Sequence, residues 1–117
     1  MARLSTHILD LSRGMPANGV RIELFHIEGE GRAFVASAVT NRDGRTDEPL
    51  LSTDSLARGV FELVFHAGDY FRAIGTPLSD PPFLDHVIIR FGIDPAMGGY
   101  HVPLLLSPYG YSTYRGS

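Results

Sequence analysis

The chain contains no cysteine. That absence excludes disulfides, thiolate zinc sites and cysteine nucleophiles. It leaves the compartment open, because a chain without thiols is indifferent to redox poise. Clustered positive charge is missing too: the ten Lys+Arg residues are scattered along a chain of formal net charge −3. Nothing in that distribution could track a phosphate backbone, so nucleic acid is not an expected partner. No apolar run approaches the ~20 residues that a membrane span needs, and a membrane partner is likewise not expected. Residues Met1 to His7 lack the apolar core of a signal peptide, and Arg115-Gly116-Ser117 is not a Ser-Lys-Leu address. A cytoplasmic location is the resulting expectation.

What is present has a globular balance, 44% hydrophobic and 20% charged over 117 residues. That length suits one domain, residues 1–117, able to bury a core without covalent staples. Period-two patterning dominates. Val20-Arg21-Ile22-Glu23-Leu24 alternates strictly between apolar and charged residues, as a half-buried strand requires. Phe61, Leu63 and Phe65 alternate with their neighbours, as do Val87, Ile89, Phe91 and Ile93. Residues 4–9, 34–40, 100–106 and 109–115 are further strand-like runs.

Turn chemistry separates them. Asn41-Arg42-Asp43-Gly44 suits a tight turn, Gly29-Glu30-Gly31 a hairpin, and residues 14–19 and 79–82 loops. Residues 52–58, capped by Ser52 or Thr53 and ended by Gly59, are the helical candidate. Seven or eight short strands with turns between them predict an all-β, antiparallel sandwich or barrel. Pro103 interrupts the run from Tyr100 to Leu106, and having no N–H it marks an edge, a bulge or a strand start.

Polar residues inside apolar strands are the candidates for chemistry. His7 lies in Leu4-Ser5-Thr6-His7-Ile8-Leu9-Asp10, His101 stands near Pro103, Arg45 follows the Asp43-Gly44 turn, and Tyr114-Arg115-Gly116-Ser117 closes the chain. Each has a plain structural reading. A lone strand histidine is usually a hydrogen-bonded structural residue, an arginine after a turn is usually solvated, and a terminus usually frays. No His-x-His pair or His-Glu-x-x-His helix motif points to a metal.

Taken together, the same segments resemble the 5-hydroxyisourate hydrolases. Leu4-Ser5-Thr6-His7-Ile8-Leu9-Asp10 with Gly14-Met15-Pro16-Ala17 is similar to their N-terminal signature, and Thr40-Asn41-Arg42-Asp43-Gly44-Arg45 to their central motif. Tyr100-His101-Val102-Pro103-Leu104-Leu105-Leu106-Ser107-Pro108-Tyr109-Gly110-Tyr111-Ser112-Thr113-Tyr114-Arg115-Gly116-Ser117 resembles their C-terminal signature. Phe61-Glu62-Leu63-Val64-Phe65 followed by Gly68-Asp69-Tyr70-Phe71 also fits.

The resemblance implies a transthyretin-like antiparallel β-sandwich of two four-stranded sheets with one short helix. It further implies a homotetramer with active sites at the interface between dimers. The implied reaction is hydrolysis of 5-hydroxyisourate to 2-oxo-4-hydroxy-4-carboxy-5-ureidoimidazoline, with no metal or organic cofactor. The family's functional positions fall on His7, Arg45 and His101, with Tyr114 and Ser117 from the closing motif. Many members carry His-Tyr-His before the proline, whereas Gly99-Tyr100-His101 lacks the first histidine. His26, His66 and His86 match no functional motif and are expected to be structural.

These residue types suit the reaction. An imidazole titrating near neutrality can deprotonate water, so His7 and His101 are expected to act as an acid–base pair, their order left open. The planar fork of Arg45 can hold a ring edge and stabilise an oxyanion. Ser117 can orient water or substrate through its hydroxyl or carboxylate. Two other readings are a small-molecule carrier on the same scaffold, since fold does not fix function, and a histidine metal site.

Overall fold

In the computed structural model, residues 3–52 and 57–116 are described. Eight strands form two sheets of four. In chain order they are β1 (Leu4–Asp10), β2 (Met15–Pro16), β3 (Arg21–Glu28), β4 (Gly31–Val39), β5 (Gly59–His66), β6 (His86–Ile93), β7 (Tyr100–Ser107) and β8 (Gly110–Thr113). One sheet runs β2-β1-β7-β8 and the other β4-β3-β5-β6.

Alternation decides what each face does. Along β1, Leu4, Thr6, Ile8 and Asp10 are buried between the sheets, while Ser5, His7 and Leu9 turn outward. The opposite sheet contributes Ile22, Leu24, Phe61, Leu63, Phe65 and Val87, and β7 adds Val102, Leu104 and Leu106. Burying a side chain of this kind contributes roughly 1.5–3 kcal/mol, so the interleaved rows hold the two layers together. The buried Thr6 hydroxyl is satisfied by the Val102 carbonyl at 2.7 Å.

The expected antiparallel sandwich is present with one difference. β1 and β7 run parallel, in register from Leu4 opposite Tyr100 to Asp10 opposite Leu106. Alternation reports which face a residue takes and not which way its neighbour runs, so this pairing was invisible to periodicity. Within the expected loop at residues 14–19, Met15 and Pro16 pair with Asp10 and Leu9 as a two-residue strand.

Pro103 sits inside a central strand, and its register explains how. The His101 and Pro103 carbonyls both face the β8 side, accepting from the Gly116 N–H at 2.7 Å and the Thr113 hydroxyl at 2.7 Å. The missing N–H of Pro103 therefore faces the same way. There the ladder stops at Leu104 opposite Thr113, and the chain bulges through Tyr114 and Arg115 before Gly116 rejoins β7.

Among the described residues the α-helix is α1 (Ala67–Ala73), a segment that the sequence pattern does not mark as helical. Of the helical candidate at residues 52–58, 53–56 lie outside the described residues. Helix α1 has seven residues, a glycine at its second position and no side-chain cap. Propensity is therefore weak, and burial of Ala67, Gly68, Tyr70 and Phe71 carries it. The Tyr70 hydroxyl donates to the fully buried Asp10 at 2.7 Å. Burial, then that bond, pushes the tyrosine pKa up to about 12.

Candidate active site

The outward face of the β1–β7 pair brings the sequence candidates together. Parallel register sets Ser5 beside His101 and His7 beside Pro103. The two histidines thus lie on adjacent strands, two residues apart along the sheet, and both are half-buried.

Arg45 reaches the same place through its turn. The Asn41 side-chain carbonyl accepts from the Asp43 N–H at 2.9 Å and the Arg45 N–H at 3.3 Å. The Asn41 N–H in turn donates to the Arg45 carbonyl at 2.8 Å. Gly44 lies at φ +73°, where a Cβ would strike the Ile8 carbonyl oxygen, and the Ile8 N–H donates to the Gly44 carbonyl at 2.8 Å. Glycine is required there on both counts. The consequence is an antiparallel bridge between His7 and Arg45. Arg45 is exposed, and it takes part in none of the ion pairs among the described residues.

His101 is the most constrained of the three. Its Nδ1 is hydrogen-bonded to the Ser5 hydroxyl at 2.9 Å. Gly116 packs against the ring, where a Cβ would stand 2.7 Å from Cδ2 and 3.3 Å from Cγ. Arg115 anchors that segment by donating to the Gly99 carbonyl at 3.0 Å and the Met97 carbonyl at 3.2 Å. Its guanidinium also lies 4.5 Å from the centre of the Tyr100 ring. Burial first, then the positive charge of Arg45 and of His7, hold the His101 pKa below the ordinary histidine range. A neutral imidazole beside a fixed cation can accept a proton from water and leave the arginine free for an oxyanion.

Tyr114 is placed elsewhere in a single chain. It is exposed and lines a slot of about 280 Å³ with Ile89, Phe91, Tyr100 and Val102, between the edges of the two sheets. Ser117 lies outside the described residues. Ser5, Arg115 and Gly116 are the contributors that sequence reasoning missed. Ser5 carried one usable signal, since it shares an outward face with His7 at a spacing of two.

The remaining histidines belong to the other sheet. His66 bonds Glu23 at 2.6 Å and its ring centre lies 4.4 Å from that of His86, while His26 pairs with Glu28 at 3.2 Å and packs on Phe61. Among the described residues, no group of three or more His, Asp or Glu is arranged to hold a metal. No helix among them is long and apolar enough to cross a membrane. On the histidine–arginine face Arg45 is exposed and His7 and His101 are half-buried.

Residues 4–116 match the model of the HIUase/Transthyretin family. The chain belongs to that family. Among its relatives is a 5-hydroxyisourate hydrolase of Pseudomonas aeruginosa, 54% identical over 117 residues, which are 100% of this chain and 93% of the relative. The family also supplies 5-hydroxyisourate hydrolase 2 of Rhizobium meliloti, 57% identical over 98% of this chain and 96% of that protein. Among solved structures, Klebsiella pneumoniae 5-hydroxyisourate hydrolase superposes with TM-score 0.81 at 38% identity, each chain covered in full. Transthyretin from Sparus aurata gives 0.87 at 27% identity, with 99% of this chain and 97% of that chain covered. An (S)-allantoin synthase gives 0.92 at 44% identity over 99% of this chain, which spans only 44% of that longer protein.

Proposed function

We propose that this chain is a hydrolase that opens the six-membered ring of 5-hydroxyisourate, giving 2-oxo-4-hydroxy-4-carboxy-5-ureidoimidazoline in the breakdown of urate. The observation that carries the reading is the convergence of His7, Arg45 and His101 on one outward face of a chain 54% identical, end to end, to a 5-hydroxyisourate hydrolase.

In this reading His101 is the base, because its depressed pKa keeps it neutral. It takes a proton from water as the water oxygen bonds to the ring carbonyl carbon. Arg45 lies beside the oxyanion that forms. The carbonyl–nitrogen bond then breaks, and the leaving nitrogen takes a proton from His7. General acid–base assistance of this kind is worth ~10²–10⁴ in rate. Tyr114 and Ser117 bind and orient the substrate as further members of the site. No metal or organic cofactor takes part, and activity is expected to survive a chelator.

In the single chain Arg45 is exposed and the two histidines are only half-buried, so water reaches them, which supports a second copy as a further wall of the site. We therefore include a homotetramer with sites at the interface between dimers, in which the Tyr114 of one chain contributes to a site it does not reach alone. Exposed apolar side chains suit such contacts: Phe83 stacks on Tyr109 at 5.9 Å, and Leu11 is 57% exposed. One domain spanning residues 1–117 and a cytoplasmic location complete the proposal, the latter checked by cell fractionation.

The experiment generates 5-hydroxyisourate from urate and urate oxidase and follows its ultraviolet decay with and without the protein. Accelerated decay that His101→Asn loses by about 10²-fold or more is expected. Decay at the spontaneous rate from folded protein would leave a transthyretin-like scaffold that carries a small molecule instead.

A further inference from the structure

The Ser5–His101 contact decides more than packing. A neutral imidazole carries one proton, on either Nδ1 or Nε2, and the tautomer decides which nitrogen is left to act as a base. The Ser5 hydroxyl lies 2.9 Å from His101 Nδ1, across a parallel pair whose register sets the two residues side by side. On another side Gly116 fills the space that a turning ring would sweep, its virtual Cβ lying 2.7 Å from Cδ2. Gly116 is itself fixed by its N–H on the His101 carbonyl at 2.7 Å and by the Arg115 anchor. The ring is thus held at Nδ1 and along Cδ2, and no side chain among the described residues bonds to Nε2.

We propose that Ser5 is a positioning residue for the reaction, holding the Nδ1–H of His101 so that the lone pair of Nε2 faces the substrate water. The assignment rests on the hydrolase reading above. In both states of the cycle Nδ1–H donates to the Ser5 oxygen. When Nε2 takes the water proton, the resulting imidazolium keeps the same partner, and nothing rotates. A hydroxyl does this without charge. A carboxylate in its place would stabilise the imidazolium and raise the proton affinity that burial and Arg45 depress. Ser5 also explains how an outward polar residue two positions before His7 serves the neighbouring strand's histidine and not its own.

The test uses protein with ¹⁵N-labelled histidine in wild type, Ser5→Ala and Ser5→Thr. Nitrogen shifts of His101, assigned by comparison with His101→Asn, report the tautomer at neutral pH. Wild type is expected to show protonated Nδ1 and bare Nε2. Ser5→Ala is expected to shift His101 toward the other tautomer or a mixture, and to lower kcat about 10–100-fold with little change in KM. Ser5→Thr, which keeps the hydroxyl, is expected to restore both. Circular dichroism and thermal unfolding check that the alanine variant is folded.

A protonated Nε2 in wild type would overturn the proposal. So would a folded Ser5→Ala with unchanged tautomer and kcat, or a loss of kcat that threonine does not relieve although the tautomer is restored. Should wild type fail to accelerate 5-hydroxyisourate decay, the hydrolase reading falls. The nitrogen shifts would then still decide whether Ser5 holds the proton.

Discussion

At the scale of single residues, His101 and Arg45 are coupled through charge. Burial and the neighbouring cations oppose protonation of His101, so the folded protein accepts that proton at a lower pH than the unfolded chain does. The sign follows for stability: as pH falls below the ordinary histidine value, the unfolded chain gains a proton the folded site refuses, and folding weakens. For activity, the acid limb of kcat/KM is expected below the ~6.5 of an ordinary histidine. Arg45→Gln removes the second cause and leaves burial, so the limb should move up without reaching that value. The same change should cost about 10²–10³ in kcat. Rate–pH profiles of both proteins check this, and a limb that stays put in Arg45→Gln would show that the guanidinium does not reach His101 electrostatically. His7 and His101 stood out as polar residues inside apolar strands and Arg45 as the residue after a turn, but only the family resemblance singled the three out together. Ser5 was legible only as a residue sharing the outward face of His7; that it bonds His101 depends on which strand lies alongside, and spacing within one strand does not tell that.

Single elements show where local chemistry suffices and where it does not. The Asn41–Gly44 segment could be read directly as a turn, although it is Asn41 and not the aspartate that caps it, and Gly44 alone of the four that takes positive φ, at +73°. Gly44→Ala should therefore cost at least ~1–2 kcal/mol from the left-handed backbone alone. It should cost more from the clash with Ile8, and it should displace Arg45 and lower kcat as well. Urea unfolding beside the decay assay checks it, and full stability in the variant would show that the turn can relax. Helix α1 is the opposite case. Its seven residues lack a capping side chain, so contacts with the sandwich make it helical and the local sequence does not announce them. Pro103 falls between the two. Its missing N–H foretold an irregularity, but only the sheet shows that the irregularity lies on the β8 side and turns the Tyr114–Arg115 segment out of the ladder.

For the whole molecule, an all-β sandwich or barrel followed from alternation and turns and the two four-stranded sheets from the family resemblance, whereas the partners of each strand followed from neither. The proposed tetramer is the largest-scale expectation. If one chain walls the site of another, specific activity should fall as the protein is diluted toward dissociation, in step with the loss of tetramer in sedimentation velocity. Full specific activity from a monomer would refute it. The parallel pairing of β1 with β7 has a further consequence in time. His7 leaves the ribosome about 94 residues before His101 (101 minus 7), yet they meet on adjacent strands. Between those moments β1 waits without its central partner, with an unpaired edge that other chains can join. No nascent chain that lacks β7 can assemble the pair, so the histidine face forms only once β7 has emerged, and its appearance during translation would time the closing of that sheet.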